Sequence, residues 1–340
     1  MCCTSASADS VRIATYNTDL SRNGPGLLLR DILRGNDPQV AAVATVITRN
    51  QPDILLLQAV DYDLELCALK AFNATLTAAG VHYPHIFASQ PNTGMHTTFN
   101  MNLDGHTGGP KDAQSYGEFS GQSGMAILSR FPIQREPIQD FSAMLWKDTP
   151  DALLPDMPTK VRNHQRLSYV SHWIVPITVG KQTLNLMAFH ASPPVFDGPE
   201  DRNGRRNHDE IRFWQHYLDG AFGAVSKGSF IIIGDANLDP VDSEGRKRAI
   251  QSLLKDPRLQ DPAPQRSFPI STQPGQYGDP MLDTVHWPQL DTMRVDYILP
   301  SVDLRVTASG VYWPDETTPE GQTALTASRH RLVWVDIALD

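Results

Sequence analysis

Several strand-like stretches of this 340-residue chain release a polar side chain at one end. Asn17 ends "RIATYN", His190 ends "LNLMAFH", and Asp235 and Asn237 follow "IIIG". Asp296 stands within "RVDYIL", and His330 opens the last such stretch, "HRLVWVDIAL". Carboxylate, imidazole and amide groups at the tips of apolar strands are not needed for packing, and such tips are where catalytic and binding groups are held. Each has a plainer reading alone: Asn17 or Asn237 as a turn residue, Asp296 as a surface charge, His190 as a hydrogen-bonded core histidine. Taken together, in this order, they point to chemistry. Arg329 poses a further question, because it sets a permanent cation directly before His330.

The elements that must hold these groups are short. The segments "VRIATYN", "PDILLLQAV", "GMAILSRFPI", "HWIVPITV", "LNLMAFHA", "SFIIIGDAN", "MRVDYILPS" and "HRLVWVDIAL" are bounded by turn residues. Several alternate with period two, whereas "IIIG" and "ILLL" are continuous runs suited to central strands buried on both faces. Helical patterns lie between them in "VAAVATVITRNQ", "LELCALKAFNATLTAAG", "NHDEIRFWQHYLDGAFGAV" and "RKRAIQSLLKD". Strands outnumber helices and the two do not strictly alternate. That predicts an α/β domain over residues 11–340, with two packed sheets and helices outside. Stretches near 90–122 and 261–292 lack periodicity, and unstructured segments of such length within a domain are usually functional loops.

Composition narrows the partners. Hydrophobic residues are 40% and charged residues 20%, as in ordinary globular proteins, and the net charge is −9. A broad basic face for nucleic acid is not expected from that balance, although a nuclease with a local cationic site is compatible with it. Cys2, Cys3 and Cys67 offer neither a disulfide framework nor a metal-ligand spacing. No apolar run approaches the ~18 residues that span a bilayer. Residues 1–10 read as a polar tail or the remnant of an export signal, since Ala6-Ser7-Ala8 has the A-x-A form that precedes signal cleavage. A periplasmic or secreted location is favoured if that stretch is such a remnant. The sequence assigns no oligomeric state.

The ordered set resembles the endonuclease/exonuclease/phosphatase superfamily, the four-layered α/β fold of DNase I. The matching motifs are "RIATYN", "PDILLLQAVD", "GMAILSRFPI", "MAFHA", "GDANLDP", "RVDYILPS" and "SRHRLVWVDI", which run from Val11 to Asp340. The resemblance implies two mixed β-sheets flanked by helices, and hydrolysis of a phosphate ester by in-line water attack. It also implies a divalent cation, Mg²⁺ or Mn²⁺, that stabilises charge on the phosphoryl oxygens. Carried over residue by residue, Asp235 would align or deprotonate the water while Asn237 holds a phosphate oxygen. His330 would accept a proton or contact phosphate, and Asp296 would fix its tautomer. His190 would donate to a phosphate oxygen, and Asn17 would position metal or phosphate.

Two departures fall on the family's principal metal site. Ala59 stands where the family has Glu, and Arg329 where it has the Asp of Ser-Asp-His. Glu to Ala adds one unit of charge and Asp to Arg adds two, so a hard dication that needs anionic oxygen ligands is disfavoured there. In one reading Arg329 stands in for the cation and clamps an anionic substrate. In another it faces away from His330, as strand neighbours do. In a third, displaced carboxylates rebuild the site: Asp61 with Asp235 first, then Asp63 or Asp19. Asp61 and Asp63 are equally suited to cap the helical pattern that follows them.

Two further features complete the survey. "NMNLDG" imitates a calcium loop, but Asn100 replaces the first Asp and Lys111 the closing Glu, which argues against an EF-hand. Arg202, Arg205 and Arg206 precede an expected helix start at Asn207, where guanidiniums and free N–H groups could hold an anionic substrate, with Arg205 the residue of choice. The leading function is a phosphodiesterase with an altered metal site, acting on a small or lipid-linked ester or on nucleic acid. The alternative is a non-catalytic protein that binds an anionic ligand on the same fold.

Overall fold

The computed structural model of the chain describes residues 10–269, 274–288 and 290–338, so the Ala6-Ser7-Ala8 stretch lies outside the described residues. The strands in chain order are β1 (Ser10–Asn17), β2 (Ile54–Val60), β3 (His85–Phe87), β4 (Gly124–Ser129), β5 (Gln139–Asp140), β6 (His172–Val179), β7 (Gln182–His190), β8 (Phe230–Asp235), β9 (Val285–Trp287), β10 (Asp291–Met293), β11 (Asp296–Pro300), β12 (Val306–Val311) and β13 (Val333–Ala338). The helices are α1 (Leu27–Arg34), α2 (Pro38–Asn50), α3 (Cys67–Ala78), α4 (Thr159–Arg162), α5 (Arg202–Leu218), α6 (Arg248–Leu254) and α7 (Pro319–Ala327).

One sheet has six strands in the order β12-β13-β1-β2-β4-β3, and a second has five in the order β11-β8-β7-β6-β5. Both are mixed: β1 and β2 run parallel, as do β7 and β8, while the other pairs are antiparallel. Period-two alternation decides which layer each residue joins. Val11 and Ile13 of β1, Ile54 and Leu56 of β2, and Ile231 and Ile233 of β8 meet between the sheets. The intervening Ala14, Leu55 and Leu57 pack on α1, α2 and α3. Ile232 of β8 packs with Ile211 and Trp214 of α5 and Leu253 of α6. The result is the four-layered sandwich of helices, sheet, sheet and helices that the continuous runs required, since each of those central strands must be covered on both faces.

The helices differ from the sequence expectation in ways that have local causes. Helix α5 begins at Arg202, ahead of Asn207, so the three arginines lie within its first turns. A helix start at a polar, periodicity-poor stretch gives little pattern to read. Asp63 caps α3, its carboxylate accepting from Cys67 N at 2.7 Å and Ala68 N at 2.9 Å. No helix among the described residues is long and apolar enough to cross a membrane.

Candidate active site

Strand register builds the site before any loop is considered. His190 pairs with Asp235 across the parallel β7/β8 ladder, and Asp235 pairs with Asp296 across the antiparallel β8/β11 ladder. The three therefore stand in one row, about 5 Å apart at the backbone. They share the parity of Ala188, Ile233 and Ile298, which face the other sheet, so all three side chains turn into the layer between the sheets. Asn17 has the same parity on β1, and its Nδ2 donates to Asp235 Oδ2 across the layer at 2.9 Å. Towards this edge the inter-sheet core becomes polar, with Gln58 Nε2 donating to Thr15 Oγ1 at 2.6 Å just inside it.

The row depends on close strand contact. Gly234 has φ 151°, and a Cβ there would fall 1.9 Å from Phe189 O of β7. Only glycine admits that approach. Asn207, in the second turn of α5, donates from Nδ2 to Ser192 O and Ala236 O, each at 2.7 Å, and so ties the loop after β7 to the loop after β8.

His330 enters from the turn before β13. Its Nδ1 lies 3.0 Å from Asp296 Oδ2 and 4.0 Å from Asp235 Oδ2. Its backbone N–H donates to Ser328 Oγ at 3.0 Å, and that hydroxyl donates to Asn17 O at 2.7 Å. Arg331, 2% exposed, holds the same turn from inside: its Nη1 donates to Ser328 O at 2.7 Å and His330 O at 3.0 Å. Thr284 Oγ1 accepts from Asp296 N at 3.0 Å. Ser328, Arg331, Thr284 and Asn207 are positioning residues that sequence reading missed. The Ser of "SRHR" was a signal at hand, whereas a buried arginine in a strand-like run is not distinguishable from an exposed one by pattern.

The electrostatics follow from burial of two carboxylates side by side. Burial, then the charge of Asp296, push the Asp235 carboxyl up, against the opposing pull of His330, His190 and the Asn17 hydrogen bond. Burial works to lower His330, but the charge and hydrogen bond of Asp296, followed by Asp235 and Asp19, carry it up to about 9. Burial lowers His190 below its ordinary value, with Asp235 opposing. At neutral pH the site thus holds one imidazolium, His330, and one neutral imidazole, His190, whose Nε2 is 3.5 Å from Asp235 Oδ2.

Several expected site residues sit differently. Asn237 does not continue an extended strand: it has φ 49°, its N–H donates to Asp235 Oδ1 at 2.7 Å, and its Nδ2 donates to Ala191 O at 2.9 Å. The Asp235 side chain has turned the backbone on itself, so the Asn237 amide acts as a brace. Asp61 is engaged elsewhere, accepting from Ser21 Oγ at 2.8 Å, Arg22 N at 2.9 Å and Ser123 N at 3.0 Å. Arg205 donates to Glu200 O at 3.0 Å. Arg329 is paired with Asp19: Nε to Oδ2 at 3.0 Å, Nη2 to Oδ1 at 2.8 Å, with the backbone N–H adding 3.2 Å to Oδ2. Its side chain is 58% exposed, at the rim of the cleft. Ala59 lies at a β-bulge with φ 54° and supplies no ligand atom.

Among the described residues, the ligand atoms of Asp235, Asp296 and His330 lie within 4.8 Å of one another, as a metal ion would require. The two carboxylates suit a hard dication in kind, and Asp296 Oδ1 is buried with no hydrogen-bond partner, a lone pair that a cation would satisfy, although His330 could join them as a ligand only after losing its proton. Beside the cluster, the Asp19 carboxylate that could add an oxygen ligand is taken up by Arg329. A cavity of about 780 Å³ lies between the 102–116 loop and the segment from Pro193 to Arg206; no cluster residue lines it, and its nearest link to the cluster is Tyr169, whose ring centroid is 6.3 Å from that of His190.

The profile of the endonuclease/exonuclease/phosphatase family matches residues 14–330, so the chain belongs to that family, whose members cleave phosphate esters and typically use divalent cations. Among solved structures, an endonuclease/exonuclease/phosphatase from Beutenbergia cavernae is 17% identical with TM-score 0.56, covering 97% of this chain and 72% of its own. A family protein from Leptotrichia buccalis is 17% identical with TM-score 0.55, covering 97% of this chain and 100% of its own. A mannosyl-6-phosphatase from Bacteroides thetaiotaomicron is 15% identical with TM-score 0.52, covering 97% of this chain and 100% of its own. No functionally curated protein matches the chain by sequence.

Proposed function

We propose that the chain is a phosphodiesterase that hydrolyses its ester by in-line attack of water at the Asp235 cluster. The observation that carries this reading is the row His190, Asp235 and Asp296 facing Asn17 and His330. Asp235, raised by burial and by the charge of Asp296, is suited to take a proton from the attacking water. His330, kept protonated by Asp296, is suited to stabilise charge on a phosphoryl oxygen or to protonate the departing alcohol as the P–O bond breaks. His190 and Asn17 orient the reactants. When bound, a divalent cation would be held by the carboxylates of Asp235 and Asp296 and would polarise a phosphoryl oxygen.

A diester fits better than a monoester on charge. It carries one negative charge at phosphorus, and the site already holds Asp235 and Asp296 without exposure to solvent. A dianionic monoester would meet more repulsion. The adjoining cavity also leaves room for a second ester arm.

The test is hydrolysis of bis-p-nitrophenyl phosphate by metal-stripped protein in EDTA, then with Mg²⁺, Mn²⁺ or Ca²⁺ added back. Turnover restored only by a cation supports a metal site at the Asp235 and Asp296 carboxylates. Turnover that persists in EDTA means the fixed charge of His330 suffices. Absence of turnover on any of a panel of diesters would overturn the reading in favour of a protein that binds an anionic ligand.

A further inference from the structure

His190 is held in the site without a second hydrogen bond. It is 6% exposed, and its Nε2 stands 3.5 Å from Asp235 Oδ2. Its Nδ1 is buried and has no hydrogen-bond partner among the described residues. An imidazole that serves in chemistry is usually fixed through its other ring nitrogen. Here the direction of the ring must come from the backbone that carries it and from the side chains that touch it.

One carboxylate governs both. Glu210, midway along α5, is fully buried and accepts three hydrogen bonds. Its Oε2 accepts from Ser192 N at 2.7 Å and Ser192 Oγ at 2.6 Å, two residues after His190. Its Oε1 accepts from Tyr169 N, and the Tyr169 ring stands edge-on to that of His190, 6.3 Å away between centroids. Asn207, one turn earlier on the same helix face, donates to Ser192 O at 2.7 Å, so α5 engages the N–H, the hydroxyl and the carbonyl of Ser192. The clamp is itself anchored. The Glu210 carbonyl lies 3.0 Å from His172 Nε2, and His172 pairs with Phe189, the residue before His190. Burial pushes the Glu210 carboxyl up to about 7, although the charge of Arg206 and the hydrogen bonds of Ser192 and Tyr169 pull it down. Buried charge is a weak source of stability, whereas charge-assisted hydrogen bonds fix direction.

We propose that Glu210 is the positioning residue of His190, gripping the chain that follows it through Ser192 and the ring beside it through Tyr169. Glu210 acts at one remove from the reacting atoms. The inference rests on the phosphodiesterase reading for the reaction that His190 serves, but the placement of the imidazole is measurable without turnover. Glutamine cannot take over the role. Its amide has one accepting oxygen, whereas the donors of Tyr169 and Ser192 address both oxygens of the carboxylate, so one donor would face an amide N–H.

The test is Glu210→Gln, read by NMR of the His190 ring, whose signals are identified by their loss in His190→Ala, and by steady-state hydrolysis of bis-p-nitrophenyl phosphate. The His190 ring resonances are expected to move. The kcat should fall by about tenfold or more while KM changes less than about threefold, because the imidazole is displaced and substrate binding is not. Ser192→Ala removes only the hydroxyl bond and keeps the idea testable should Glu210→Gln not fold. It should move the same resonances in the same direction, with a several-fold loss of kcat. His190 resonances unmoved in either folded variant would overturn the assignment whatever the rate does, since Glu210 would then act on stability alone or through another group. Resonances that move while kcat of an active protein stays at the wild-type value would overturn it as well. If the resonances move and the wild-type protein turns over no diester, the phosphodiesterase reading fails and the positioning of His190 stands.

Discussion

The inner cluster and the rim of one cleft are built on opposite plans. Inside, Asp235 and Asp296 are buried side by side against a single imidazolium, a frustrated arrangement that raises Asp235 and lifts His330 to about 9. At the rim, Asp19 and Arg329 satisfy one another through two side-chain hydrogen bonds in contact with solvent. Groups that perform chemistry need charge that is not fully compensated, whereas a compensated surface pair is electrically quiet. The difference teaches that Arg329 is not a bare cation over the cleft: with Asp19 it forms a neutral pair beside the inner cluster.

The largest effect expected from breaking this contrast is in the cluster. Asp235→Ala should lower the rate of diester hydrolysis by ~10³-fold or more while the far-UV circular dichroism remains native. A variant with wild-type turnover would refute the assignment of the base. Asp296→Asn comes next. Losing the carboxylate should return His330 from about 9 towards its ordinary value, readable as an imidazole shift in NMR titration, and reduce turnover by ~10²-fold. An unchanged His330 titration would show that Asp296 does not control it.

Sharpening the contrast means rebuilding the rim as a cation site. The double change Ala59→Glu and Arg329→Asp should strengthen Mg²⁺ binding at least tenfold by calorimetry, with Asp19 released as a further oxygen donor. No gain would show that rim charge is not what limits the metal. The smallest effect belongs to the pair itself. Burial pushes the Asp19 carboxyl up, but the hydrogen bonds and charge of Arg329, with the charge of His330, outweigh it and hold it below the ordinary carboxylate range. A lowered folded-state value means that the pair's stabilisation is present above the unfolded carboxylate value and is lost as pH falls through the folded one. With Arg329 more than half exposed, Arg329→Gln should cost ~0.5 kcal/mol at low salt and less at high salt, measured by urea unfolding. A loss of several kcal/mol would mean that the pair is not a surface one.

The fold was legible because its signals are local and repeated. The alternation of "VRIATYN" assigns Val11, Ile13, Thr15 and Asn17 to one face whatever that face meets, and the unbroken "FIII" of β8 demands cover on both sides. The five polar tips were legible for the same reason, since a polar residue at the end of an apolar run stands out against it. Asn237, Asp61 and Arg205 were not, because the first was carried over from a motif, the second read from spacing and the third from an expected helix start. A short Asx turn, a loop anchor and a helix that starts five residues early all change where a side chain goes without changing the pattern of types.

What the sequence by itself determined is parity and chemistry: which side chains share a face, and which of them can carry a proton or a charge. Only the tertiary structure decided register and pairing. His190, Asp235 and Asp296 lie 45 or more positions apart in the chain and become one row through two strand ladders and the glycine contact at Gly234. Arg329 became half of an ion pair because Asp19, 310 positions away, occupies the adjoining turn. Arg206 is held by the carbonyls of Leu167, Arg166 and Ser168 and by the charge of the buried Glu210 carboxylate, partners that only the packing around α5 supplies. Side-chain type is encoded residue by residue, whereas the neighbour that sets its charge and direction is supplied by packing between distant segments.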